Sequence, residues 1–206
     1  SRSMGLDGYR FPSLAGQRAG EVITAHEDTL IRPLQVADLP DAWPGLAAFD
    51  ALVWADEDPA ALTARQEEAL RDWITGGGHL VIVLPFDGNP WRLGDAGGGP
   101  LADLLPSREP RLEEEVPLGE LLPTLSKSRR LGAAPINDGF SVKVFDDLLE
   151  KDRDLDPGFV PLVATEDAKV IAISRPVGNG HLSLVGLPLA GDTRFSGVTL
   201  GHGLVE

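Results

Sequence analysis

The sequence predicts an α/β fold, with a mainly parallel sheet and an antiparallel hairpin extension near the C-terminus. Three observations predict it. A short apolar segment, a capped amphipathic helix and a continuous apolar run follow one another between residues 50 and 84. Three further strand-like segments crowd the last third of the chain. A hairpin signal joins the last two of these.

The order strand, helix, strand at this spacing is a βαβ unit, for which a right-handed crossover is expected. Residues 50–55 (Asp-Ala-Leu-Val-Trp-Ala) suit a short buried strand. In the helix, Thr63 and Gln66 stand at capping-box spacing, which satisfies two backbone donors that the first turn leaves free. Leu62, Ala69, Leu70, Trp73 and Ile74 fall on one face, and Arg65, Glu67, Glu68, Arg71 and Asp72 cover the other. Gly76-Gly77-Gly78 stops the helix, because glycine takes the left-handed cap without steric cost. Residues 80–84 (Leu-Val-Ile-Val-Leu) are too apolar for a sheet wetted on one side.

Before this unit, residues 21–25 read as a strand. Residues 30–36 read as a second extended piece, placed at an edge by Pro33. Residues 39–44 form a loop. After it, residues 94–156 read as an insertion or peripheral layer on a single domain. Within that stretch 94–100 is a glycine-rich loop, 101–105 a helical turn, 108–115 a charged stretch, 117–125 a short helix and 140–145 an alternating strand. Residues 159–164, 170–174 and 181–186 are strands, the last two joined through Asn179-Gly180, both of which tolerate positive φ.

Bulk properties exclude several functions. The chain has 206 residues and is 42% hydrophobic, enough for a core. Its 18 Lys and Arg against 32 Asp and Glu give a net charge of −14, a field that repels nucleic-acid phosphates and anionic lipid. With 0 cysteines there is no disulfide, thiolate metal site or thiol nucleophile. No run approaches the ~18 apolar residues of a membrane span. Ser1-Arg2-Ser3-Met4 leads into polar sequence rather than a signal peptide, and the chain reads as an excised piece of a larger protein.

The segments 49–54, 62–83 and 177–186 together resemble the class I glutamine amidotransferase-like superfamily. The likeness covers about half the chain. It is closer to the superfamily's non-catalytic branch, whose members are extracytoplasmic domains of bacterial membrane proteins. The resemblance implies a flavodoxin-like three-layer fold. It also implies a Cys–His–Glu triad whose Cys would follow the 80–84 strand. Pro85-Phe86-Asp87-Gly88-Asn89-Pro90 stands there instead, and His181 lies inside a strand, so neither triad position is filled. Without a thiol there is no thioester route to ammonia. Ser107, Ser126, Ser128 and Ser141 do not sit in the strained elbow a serine hydrolase needs.

In open α/β sheets, ligands bind beyond the carboxyl ends of the strands. The residues there, His26, Asp28, Asp56, Asp58, Phe86, Asp87 and Asn89, make a candidate ligand crevice. Among them His26, Asp56 and Asp87 are candidate ligands for a hard divalent cation. The competing reading is that such carboxylates cap backbone or face solvent. His79 opens a strand at the other end of the sheet and reads as a satisfied surface histidine. Trp54 and Trp73 read as core, and Trp43 and Trp91 as exposed loop anchors. The expected function is a non-enzymatic binding or assembly module of a bacterial membrane-associated protein on the periplasmic side. It has no cofactor and no nucleic-acid partner, does not insert in the membrane, and takes protein partners or neighbouring domains. The alternative is a metal-dependent enzyme or sugar-type binding domain using the acidic crevice.

Overall fold

A computed structural model describes residues 34–55, 57–95, 98–117, 139–145, 158–164 and 169–187. The βαβ unit is present: β1 (Ala51–Trp54), α1 (Ala64–Gly76) and β2 (His79–Val83). Then come β3 (Arg111–Pro117), β4 (Gly139–Val144), β5 (Val160–Ala164), β6 (Val170–Val177) and β7 (Gly180–Val185). Five strands form one sheet in the order β1-β2-β7-β6-β5, and β3 pairs with β4 in a second, two-stranded sheet. β1, β2 and β7 are parallel, whereas β6 and β5 continue the sheet antiparallel. The fold is therefore mixed α/β, with a parallel half and an antiparallel half.

Helix α1 begins and ends as its sequence dictates. The Thr63 hydroxyl accepts from the Gln66 amide at 3.2 Å, and the Gln66 side chain accepts from the Thr63 amide at 3.0 Å. At the other end Gly78 N–H reaches Trp73 O and Gly77 N–H reaches Ile74 O, the two bonds of a Schellman cap, with Gly77 at φ +131°. Ala69, Leu70, Trp73 and Ile74 are buried on the predicted face, and Gln66 is buried with them. They share one core with Trp54, Leu80, Ile82, Leu182 and Leu184. Burying a side chain such as Leu70 or Ile74 contributes about 1.5–3 kcal/mol, which fixes α1 on this face of the sheet. The alternate residues of β2 and β7 (His79, Val81 and Val83 with His181, Ser183 and Val185) belong to the opposite face.

The β6–β7 hairpin has its turn one residue earlier than the Asn179-Gly180 signal suggests. Gly178 and Asn179 are the central residues, and Val177 pairs with Gly180. Only Gly178 has positive φ, +62°, which matches a turn with glycine at its first central position rather than the Asn-Gly type. The shift is set by the helix end: Asn179 N–H bonds Thr75 O at 2.9 Å and His181 N–H bonds Gly78 O at 3.1 Å. The turn thus supplies a donor to Thr75 O, which the C-terminus of α1 leaves open, and the start of β7 supplies one to Gly78 O just beyond the helix.

Other expectations also needed correction. Residues 111–117 form a strand, β3, despite the charge of the 108–115 stretch. There half-buried Glu113 pairs with Lys169 and Arg111, which neutralises its charge, and Glu114 and Glu115 are exposed to water. Pro117 ends β3 rather than starting a helix, and residues 118–125 lie outside the described residues. Val36 begins a short 3-10 turn, Val36–Asp38, instead of ending an extended piece. β6 continues past Ser174 through Pro176, which stands beyond the last β5 pair, Val160 with Ser174. The proposed strand at 21–25 lies outside the described residues.

The second sheet meets the first at the carboxyl end of β7. Lys143 N–H bonds Gly186 O and Phe145 N–H bonds Val170 O, both at 2.8 Å. A Cβ on Gly186 would lie 1.9 Å from Lys143 O, so this crossing requires glycine. Phe145 is fully buried in the main core. No helix among the described residues is long and apolar enough to cross a membrane.

Candidate functional site

The carboxyl ends of β1, β2 and β7 are the place where this topology would hold a ligand. β2 stays paired beyond its last residue, with Leu84 N–H on Val185 O at 2.9 Å, and the chain then leaves the sheet as the 85–90 loop. Phe86 in that loop is 40% exposed, and Asp87 and Gly88 are exposed beside it.

The polar groups here mostly hold backbone. The Asp58 carboxylate accepts from Ala60 N–H at 2.9 Å and caps the short 3-10 turn Pro59–Ala61. Asn89 clips the next turn twice: its amide donates to Leu93 O at 2.8 Å and its carbonyl accepts from Leu93 N–H at 2.9 Å. His26, Asp28 and Asp56 lie outside the described residues. Among the described residues no three His, Asp or Glu side chains gather to hold a metal.

The sequence reading missed Lys143. It is only 6% exposed, yet it reaches across from β4 and donates from Nζ to Gly88 O at 2.6 Å. Burial pushes its ammonium below the ordinary lysine range, while the Glu109 and Asp87 carboxylates oppose that shift. The bond pins the 85–90 loop to the second sheet. One signal for it was present: in Phe140-Ser-Val-Lys-Val-Phe145, strand alternation puts Lys143 on the same side as Phe145.

Trp91 is not an exposed anchor. It is 1% exposed and packs edge-on against Trp54, ring centroids 5.1 Å apart, so the loop folds back over the end of β1. Trp43 is 51% exposed, as expected of a loop anchor, and Trp54 and Trp73 are core. A hollow of about 270 Å³ beside Trp91 is lined by Arg92, Asp95, Asp103 and Ser107 among others, and not by Phe86, Asp87 or Asn89. A wider groove of about 650 Å³ runs along the start of α1 past Leu39, Thr63 and Arg65.

At the amino end of the parallel strands, His79 is half-buried and its Nε2 lies 2.8 Å from Ser183 Oγ. Ser183 Oγ is 3.0 Å from Ser174 Oγ, and Ser174 donates to Leu182 O. Burial holds the His79 imidazolium below its ordinary pKa, and neighbouring His181 lowers it further. No protein-family model matches this chain, and no curated protein matches it.

Proposed function

We propose that this chain is a non-enzymatic, amidotransferase-like α/β module that binds or assembles with other proteins, carried on the extracytoplasmic face of a bacterial membrane-associated protein. A flavodoxin-like three-layer arrangement belongs to the same proposal. One observation carries it. At the position where a nucleophile would follow β2, the chain places Pro85-Phe86-Asp87-Gly88; the flanking polar groups Asp58, Asn89 and Lys143 each bond to backbone, and exposed Asp87 is the one described carboxylate of the candidate crevice not so held. A catalytic edge needs side chains free to meet a substrate. The partners in this reading are neighbouring domains of the parent chain or separate proteins, and a net charge of −14 favours basic surfaces. The family part of the proposal rests on the likeness of the three sequence segments, and function argued from likeness is analogy.

The test is thermal unfolding with Mg²⁺, Mn²⁺ and Ca²⁺ on the wild type and an Asp56→Ala/Asp87→Ala variant, with ammonia release from glutamine measured alongside. The module reading predicts no shift and no ammonia. A bound ligand at ~100 times its Kd would add about 2.7 kcal/mol. A shift of that kind, absent from the variant, would overturn this reading in favour of a metal-dependent enzyme.

A further inference from the structure

We propose that His79 and His181 form a two-imidazole site for a transition-metal dication, Zn²⁺ foremost, bridging β2 and β7 at the amino end of the parallel strands. The two residues are direct partners in the parallel register, so their side chains leave the same face of the sheet. Their ring centroids are 5.9 Å apart at 63°. With Zn–N bonds of about 2.0–2.1 Å, two imidazoles on a tetrahedral ion have centroids roughly 5 Å apart. A small side-chain rotation of exposed His181 closes the difference.

The hydrogen bonds behind His79 prepare it as a ligand. Leu182 O can only accept, so the one Ser174 hydroxyl proton goes to it. Ser183 must then donate to Ser174, and its oxygen is left to accept from His79. His79 therefore carries its proton on Nε2, which excludes it as a base for Ser183. Its lone pair sits on Nδ1, which makes no hydrogen bond among the described residues. An imidazole whose second N–H is fixed by a hydrogen-bond acceptor is the usual form of a metal-bound histidine. The imidazoles are borderline ligands that suit zinc, copper, nickel and cobalt over magnesium or calcium. No third His, Asp or Glu joins them among the described residues, and His181 is exposed to water that can fill open coordination positions.

The experiment is calorimetric titration of the metal-stripped whole chain with ZnCl₂, and absorbance titration with Co²⁺. It compares the wild type, His181→Ala, His79→Gln and a His26→Ala/His202→Ala control. The expected result is one Zn²⁺ per chain, unchanged in the control and weakened at least about tenfold by His181→Ala. Because His181 is exposed, that variant keeps the core, and an unchanged melting curve without metal verifies it. No binding below ~1 mM (weaker than about −4 kcal/mol) would overturn the proposal. So would equal affinity in His181→Ala, or loss in the control. The site is independent of the carboxyl edge: a Mg²⁺ or Ca²⁺ response that depends on Asp87 would sink the module reading and leave this one standing.

Discussion

Gln66 ties three pieces of backbone together, and replacing it measures what holds the 34–39 segment on the domain. Its side-chain carbonyl accepts from Thr63 N–H, and its Nε2 donates to Val36 O and Leu39 O, both at 2.9 Å. In Gln66→Ala these partners fare differently. Thr63 is exposed, so water replaces that bond at little cost. Val36 O keeps the Leu39 amide at 3.2 Å. Leu39 O, on a residue 7% exposed, keeps no partner among the described residues. A buried orphan acceptor costs about 1–3 kcal/mol and each lost neutral bond about 0.5–1.5, so the expected total is ~2–4 kcal/mol. For a chain of this size that lowers Tm by roughly 5–15 °C. Gln66→Glu separates the two roles. It keeps the acceptor for Thr63 but turns an oxygen toward two carbonyls, so it destabilises at neutral pH. Protonation restores a donor, so the gap to wild type narrows as pH falls toward the ordinary glutamate value of ~4.3. Urea unfolding of wild type and both variants, at pH 7 and pH 5, reads these energies. A loss below ~1 kcal/mol for Gln66→Ala, or Gln66→Glu matching wild type at pH 7, would mean that the Gln66 bonds do not hold the 34–39 segment.

Three further outcomes are expected. A Cβ on Gly180 would lie 2.1 Å from Ile74 O and 2.2 Å from Gly78 O, both fixed backbone, so Gly180→Ala should cost at least about 1–3 kcal/mol in chemical unfolding. Gly76→Ala, with nothing within 4 Å, should be neutral or stabilise by up to ~1 kcal/mol, and equal effects of the two would contradict the packing of the hairpin on α1. Trp91→Ala should cost about 3–5 kcal/mol and Trp43→Ala within about 0.5, with the reverse ranking arguing against the buried place of Trp91. The lowered pKa of His79, caused by burial first and His181 second, sets a pH dependence. The unfolded imidazole binds a proton near 6.5 while the folded one resists it, so stability is full above that value and declines as pH falls below it. Melting curves in EDTA from pH 7.5 to 5 should show this decline, shallower in His79→Gln; identical slopes would exclude His79 as the source.

Local features of the fold were legible in the chain. Helix α1 was legible from end to end because its cap, apolar face and glycine stop act within a few residues of one another. Strand positions 51–54, 79–83, 139–144 and 160–164 were legible from apolar or alternating runs. Features that depend on partners far along the chain emerged only on folding. The charged stretch around Glu113 becomes a strand because β4 pairs with it and Lys169 neutralises it. The hairpin turn shifts by one residue because the end of α1 needs its amides. Of the seven carboxyl-edge residues the sequence singles out, Asp58 and Asn89 bond to nearby backbone while Asp87 is exposed, roles that residue type cannot distinguish from ligand binding. Lys143 at Gly88, and His79 beside His181, were beyond reach because loop packing in the first case and pairing register in the second juxtapose residues dozens of positions apart. A linear pattern fixes which face a side chain takes, but not what stands across from it.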